Sequence, residues 1–227
     1  MNCFQATGTT IKKEVNTAPF SKILVNEEII LILKQGDKQS IVIETGENLL
    51  NNIEVDVVDE QLILNNINSC NFVREYELTK IYVTTPNLTE LRCSTNRYIQ
   101  SDGVLTFPDL TILSEDWKND DFLNTGDITL NLDSEKVTVV ANGISIFKIQ
   151  GRSKKLNIVF AANDCRFEGE NFKVDEIQVS HKSSNDIIVY PIGSLKGNIY
   201  SVGDVIAKKH PEIVEVKEHY KGKLIFD

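Results

Sequence analysis

A six-residue element recurs along the last two thirds of the chain and constrains its fold more than any other feature. It reads Thr95-Asn96-Arg97-Tyr98-Ile99-Gln100, Thr125-Gly126-Asp127-Ile128-Thr129-Leu130 and Ala141-Asn142-Gly143-Ile144-Ser145-Ile146. It continues as Ala162-Asn163-Asp164-Cys165-Arg166-Phe167, Ser184-Asn185-Asp186-Ile187-Ile188-Val189 and Val202-Gly203-Asp204-Val205-Ile206-Ala207. Each copy has a small residue, then Asn or Gly, a mostly polar residue and a strand-like alternation. Asn96, Gly126, Asn142, Asn163, Asn185 and Gly203 are read as corners, since Asn and Gly accept the left-handed backbone that a sharp reversal uses. Successive corners lie 30, 16, 21, 22 and 18 residues apart. A period near 20 is expected of a solenoid, in which no repeat buries its own apolar side and stacking supplies the core. Strand-like runs at 88–93, 137–140, 156–160 and 176–179 precede most corners, so each repeat is expected to hold two short strands and two turns. The competing architecture is an antiparallel sandwich with a hairpin every ~8–12 residues.

The first third reads as strands at 20–25, 29–34, 40–44, 53–58 and 61–64, with reversals at Gln35-Gly36-Asp37-Lys38 and Val58-Asp59-Glu60-Gln61. One short helix is expected near residues 47–52, where Leu49, Leu50 and Ile53 share a face. The expected organisation is an N-terminal strand region, residues 1–77, capping a solenoid of residues 78–227, the two forming one continuous unit. The tail, 213–226, alternates as two strands around Lys221-Gly222 and is expected to cover the last repeat. Composition agrees with an all-β chain, because 26 Ile and 20 Val stand against 6 Ala and 1 Met.

Charge narrows the partners. The 33 acidic and 24 basic residues leave a net −9, which argues against a nucleic-acid backbone or an anionic lipid surface, both of which need clustered cations. The longest purely apolar run is 29–33, far short of the ~20 residues of a membrane-spanning helix. Met1-Asn2-Cys3-Phe4 shows neither a basic start nor an apolar h-region, which leaves a cytosolic protein and an exported one without its leader both open.

Neither a metal nor a cofactor is expected. The four cysteines show no CxxC or Cys/His spacing, and the three histidines are scattered. Cys93 and Cys165 follow strand alternation and read as small core residues. Cys3 and Cys70 lie in polar surroundings, where a disulfide between them and a pair of free thiols are both consistent. The sharpest charge concentration is the loop carrying Glu115, Asp116, Trp117, Asp120 and Asp121. Its carboxylates and single Trp make it a candidate for calcium or glycan, against a plain solvated loop that fits no EF-hand spacing. Asp127, Asp164, Asp186 and Asp204 each follow a corner, where Asp closes turns on its own backbone; convergence into a hydrolytic site is the lesser reading. No GxSxG, GxGxxG or Walker motif appears, and the chain reads as no enzyme.

Phe20-Ser21-Lys22-Ile23-Leu24-Val25, Leu33-Lys34-Gln35-Gly36-Asp37, Gly46-Glu47-Asn48-Leu49-Leu50 and Val58-Asp59-Glu60-Gln61-Leu62 occur in an order that resembles the head GIN domain family of autotransporter adhesins. This is a domain of unknown function in bacterial cell-envelope proteins. The closing stretch from Gly203 to Pro211 is also similar, although Lys209-His210 stands where the family has glycine. The corners here use Asn-Gly, Asn-Asp and Gly-Asp where relatives use Ser-Gly-Ser-Gly. The resemblance, over roughly residues 4–227, implies a right-handed β-helix-like solenoid capped by its N-terminal strands. It also implies export through a signal peptide absent from this sequence, to a periplasmic or outer-membrane and cell-surface location, often with a lipid anchor. Relatives similar to this chain carry Cys-Phe and Cys-Asn at matching places, so the resemblance favours the Cys3–Cys70 disulfide and makes Cys3 an unsuitable lipidation site. A binding or adhesion module for a glycan or surface protein is the first functional expectation. An assembly component that dimerises through solenoid edges is the second, and a carbohydrate-active enzyme the third.

Overall fold

A computed structural model describes residues 8–68, 79–117 and 119–227. These form 17 strands in one hydrogen-bonded sheet. In chain order they are β1 (Thr10–Val15), β2 (Lys22–Val25), β3 (Ile29–Gln35), β4 (Ser40–Gly46), β5 (Ile53–Val58), β6 (Gln61–Asn66), β7 (Thr79–Thr85), β8 (Glu90–Cys93) and β9 (Tyr98–Leu105). Then follow β10 (Asp109–Ser114), β11 (Asp127–Ala141), β12 (Ile146–Phe160), β13 (Arg166–His181), β14 (Ile187–Ile199), β15 (Val205–Ala207), β16 (Ile213–Glu218) and β17 (Leu224–Phe226).

The pairings arrange these strands into two walls around a shared interior. One wall runs β5, β6, β2, β8, β10, then the C-terminal halves of β11 to β14, and ends at β16. The other runs β1, β4, β7, β3, β9, then the N-terminal halves of β11 to β14, and continues through β15 to β17. The first pairings are antiparallel (β1 with β4, β4 with β7, β5 with β6); all later ones are parallel. Successive layers stay close to register, as Val137 pairs with Leu156, Leu156 with Ile177 and Ile177 with Leu195. The periodic sequence therefore stacks like on like. Leu62, Ile23, Leu91, Ile112, Val139, Ile158 and Val179 form one interior column across the molecule, each fully buried. Such columns supply the apolar burial that no single layer has.

Three local expectations change. Each repeat was expected to break into two strands, yet β11, β12 and β13 run 15, 15 and 16 residues without interruption. The second reversal is a bend inside the strand. At Glu135-Lys136, Lys154-Lys155 and Asp175-Glu176 two consecutive residues are exposed, so the in–out alternation changes phase and the chain turns while its ladder bonds continue. The helix expected near residues 47–52 is reduced to a single 3₁₀ turn, Leu50–Asn52, because Ile53 is already extended and enters β5. Of the six corners, only Asn163 takes a left-handed backbone, at φ 57°. At the two glycine corners crowding explains the missing side chain: a Cβ on Gly203 would lie 2.1 Å from the Asn185 carbonyl oxygen, and one on Gly126 2.4 Å from that of Thr95.

The domain boundary expected at residues 77 and 78 falls at the edge of the segment 69–78, outside the described residues, as do Cys3 and Cys70. Across that point β3 pairs with β9 and β2 with β8, so strands from both sides share the same walls.

Candidate functional site

The corners come first, because they hold the layers in place. Asn96 donates through Nδ2 to Glu28 Oε1 at 2.6 Å and accepts the Glu28 N–H at 3.1 Å, tying the first corner to the N-terminal strands. Asn163 donates to the Asn142 carbonyl at 2.6 Å. Asp186 accepts the Asp204 backbone N–H at 3.0 Å, and Asp204 accepts that of Lys223 at 2.7 Å. Asp164 accepts the Ser184 hydroxyl at 2.8 Å. Three of the four corner carboxylates thus cap the next layer, as turn-closing aspartates do. Among the described residues no group of three or more His, Cys, Asp or Glu gathers as a metal-binding set.

The acidic loop lies between β10 and β11 and folds over the outside of one wall. Glu115 is buried against Arg92, their side chains 4% and 3% exposed, with Arg92 Nη1 on Glu115 Oε1 at 2.5 Å. Glu115 Oε2 accepts the Trp117 N–H at 2.7 Å, and the Phe122 ring lies 5.2 Å from the Arg92 guanidinium carbon. Asp116 accepts from the Asn142 and Asn124 amides at 2.6 and 3.2 Å. Glu115 and Asp116 therefore anchor the loop, while Trp117, Asp120 and Asp121 face solvent. The sequence marks these five residues as one cluster; the structure divides it in two.

A different surface is concave. At the in-strand bend of β11 to β14, Lys136, Lys155, Glu176 and Ser194 stand in register, one per layer. Beside them runs a second column, Asn157, Gln178 and Lys196. Together they line a shallow groove of about 330 Å³. At ~4.8 Å per layer its four layers span about 14 Å. Its lysines are neutralised: Lys136 by Asp109 at 3.3 Å, Lys155 by Glu176 at 3.5 Å and Lys196 by Glu215 at 3.1 Å. A smaller groove of about 210 Å³ lies among Thr129, Lys148, Gln150, Glu168, Glu170 and Asn171. The residues of the larger groove do not stand out in the sequence, because the repeat is read at its corners and these lie at the opposite bend. The signal was there in the 19-, 21- and 18-residue steps separating Lys136, Lys155, Glu176 and Ser194.

The remaining buried ionisable groups line neither groove. Cys93 and Cys165 are free, and burial pushes both thiols up to about 12, which makes them inert core residues. His181 is fully buried between Phe160 and Ile199. Its ring nitrogens lie near the Asn185 and Gly203 backbone without a hydrogen bond of ordinary geometry. Burial, opposed by the Asp186 and Asp204 carboxylates, lowers its pKa from 6.5 to about 4, so the imidazole is neutral.

Residues 19–211 match the family described as "Putative auto-transporter adhesin, head GIN domain". Among solved structures, the chain is similar to an adhesin described as putative from Bacteroides fragilis NCTC 9343, at 21% identity and a TM-score of 0.84, over 96% of this chain and 97% of that one. A second such adhesin, from Parabacteroides merdae ATCC 43184, matches at 15% identity and 0.65, covering 98% of each chain. A protein of Parabacteroides distasonis ATCC 8503 described as a putative lipid binding protein matches at 13% identity and 0.64, over 97% of this chain and 98% of that one. No curated protein matches. No helix is long and apolar enough to cross a membrane among the described residues.

Proposed function

The chain belongs to the "Putative auto-transporter adhesin, head GIN domain" family, and from that premise we propose that it is a non-enzymatic binding module of the bacterial cell envelope. Its two walls wind as a right-handed β-helix, capped at one end by the N-terminal strands as one continuous unit. The protein is exported.

The ligand is a neutral, hydroxyl-rich chain such as a polysaccharide, laid along the groove at the bend of β11 to β14. One observation supports this reading above the rest: amide, hydroxyl and charged side chains repeat along the groove layer by layer. A polymer of sugars, with donors and acceptors at regular intervals, can match such a ladder. Because Lys136, Lys155 and Lys196 are already paired with carboxylates, the groove suits a neutral chain better than a polyanion. The adhesin names of similar structures agree with surface binding. The exposed Trp117, with Asp120 and Asp121, is the alternative contact point, for glycan or calcium.

An oligosaccharide array tests the reading. The protein is expected to bind neutral oligosaccharides, and Asn157→Ala/Gln178→Ala, two changes on the outer face, is expected to abolish the signal while melting unchanged. Binding lost only in Trp117→Ala would move the site to the loop, and no binding to any glycan would remove the proposal.

A further inference from the structure

The outermost strands at the C-terminal end differ in how their free edges are treated. β16 pairs only with β14 and β17 only with β15 among the described residues. On β17 the edge is blocked from within: the Glu218 carboxylate accepts the Leu224 backbone N–H at 2.9 Å and holds Lys223 Nζ at 2.9 Å. Among the described residues no such contact covers β16.

The direction of the β16 backbone follows from its ladder. His219 donates its N–H to the Ile199 carbonyl of the layer above. In a parallel ladder both backbone groups of a residue point to one side and alternate along the strand. Residues 213, 215 and 217 therefore bond inward to β14, and Val214, Val216 and Glu218 direct their N–H and C=O groups to the open edge. The side chains alternate too. Val214 and Val216 are half-buried, whereas Ile213, Glu215 and Lys217 are exposed on the outer face.

This edge is complementary to itself. In an antiparallel pairing centred on Val216, the outward-directed residues meet one another: Val216 faces the second copy's Val216, and Val214 faces the second copy's Glu218. On the outer face, Glu215 then lies opposite the second copy's Lys217, twice by symmetry, and Ile213, 46% exposed, opposite His219. The neighbouring symmetric registers, centred on Glu215 or Lys217, set like charges directly against each other and are disfavoured. We propose that two copies of this chain associate through β16, antiparallel and two-fold symmetric about Val216, each completing the other's open edge. Val216 already ends a core column, below Val179 and Gly197, so the dimer continues that column across the two-fold axis. The interface is isologous, which closes at two subunits and does not propagate into a fibre.

Sedimentation velocity on the 227-residue chain from 1 to 200 µM, with charge variants, tests the proposal. The protein is expected to dimerise within this range. Glu215→Lys and Lys217→Glu each turn two attractive pairs repulsive and are expected to weaken the dimer by about tenfold or more. The double variant Glu215→Lys/Lys217→Glu restores it. Both side chains are exposed, so thermal melts should show all three variants folded. A monomer throughout the range, a dimer indifferent to the single changes, or a double variant as weak as the singles would each overturn the proposal.

Discussion

At the scale of single residues, the account turns on groups that the stack leaves no room to vary. Gly203 is one, since any side chain there meets the Asn185 backbone and the His181 ring. His181 itself continues a column that is Ala141 and Phe160 in the layers above it. An unfolded chain protonates this histidine below its ordinary pKa of 6.5, whereas the folded chain holds it neutral down to about 4. The unfolded state therefore binds the extra proton between these values, and stability is full above 6.5 and declines as pH falls toward 4, by about 3 kcal/mol at most. Glu44, held by Lys12, and Glu218, held by the Leu224 N–H, both sit below their ordinary 4.5, so their stabilisation is lost lower still. Urea unfolding at pH 7 and pH 5 should show a loss of stability in the native chain that is much reduced in His181→Leu. An equal loss in both would assign the acid sensitivity to other groups.

At the scale of elements, the loop between β10 and β11 shows how a charge run becomes structure. Removing one member of a buried ion pair strands the other, at a cost of about 3–5 kcal/mol, whereas replacing both with apolar residues of similar volume is close to neutral. Glu115→Ala is thus expected to lower stability by roughly that amount and speed amide exchange across residues 119–126, and Arg92→Met/Glu115→Leu to recover most of it. A loss below ~1 kcal/mol in Glu115→Ala would show that the pair does not anchor the loop. Nothing local in the sequence marks Glu115 as buried, because its partner is 23 positions earlier on another strand. Five strands of the first third, β2 to β6, are legible, since apolar alternation bounded by Gln35-Gly36-Asp37-Lys38 leaves few alternatives, whereas β1 is not, because Thr10–Val15 is mostly polar and exposed. The repeat period was legible for the same reason. The in-strand bends were not, because Lys154-Lys155 looks like an interruption of alternation, and only the parallel partners on either side show that the ladder runs through it. The corners are legible, but a left-handed backbone is not their cause at five of six positions; at Gly126 and Gly203 the cause is crowding by the neighbouring layer, which one strand's own sequence cannot show.

At the scale of the whole molecule, stacking makes two kinds of surface from one periodic sequence. Interior positions repeat as apolar columns, so outer positions must repeat as well, and any polar residue at a bend becomes part of a ladder. The groove of Lys136, Lys155, Asn157, Glu176, Gln178, Ser194 and Lys196 is such a ladder, and binding there is the central functional claim. A backbone-amide NMR titration with the tightest neutral oligosaccharide from the array tests it most directly. The account predicts shifts clustered at residues 155–157, 176–178 and 194–196. Shifts confined to residues 115–124, or none at saturating ligand, would contradict it.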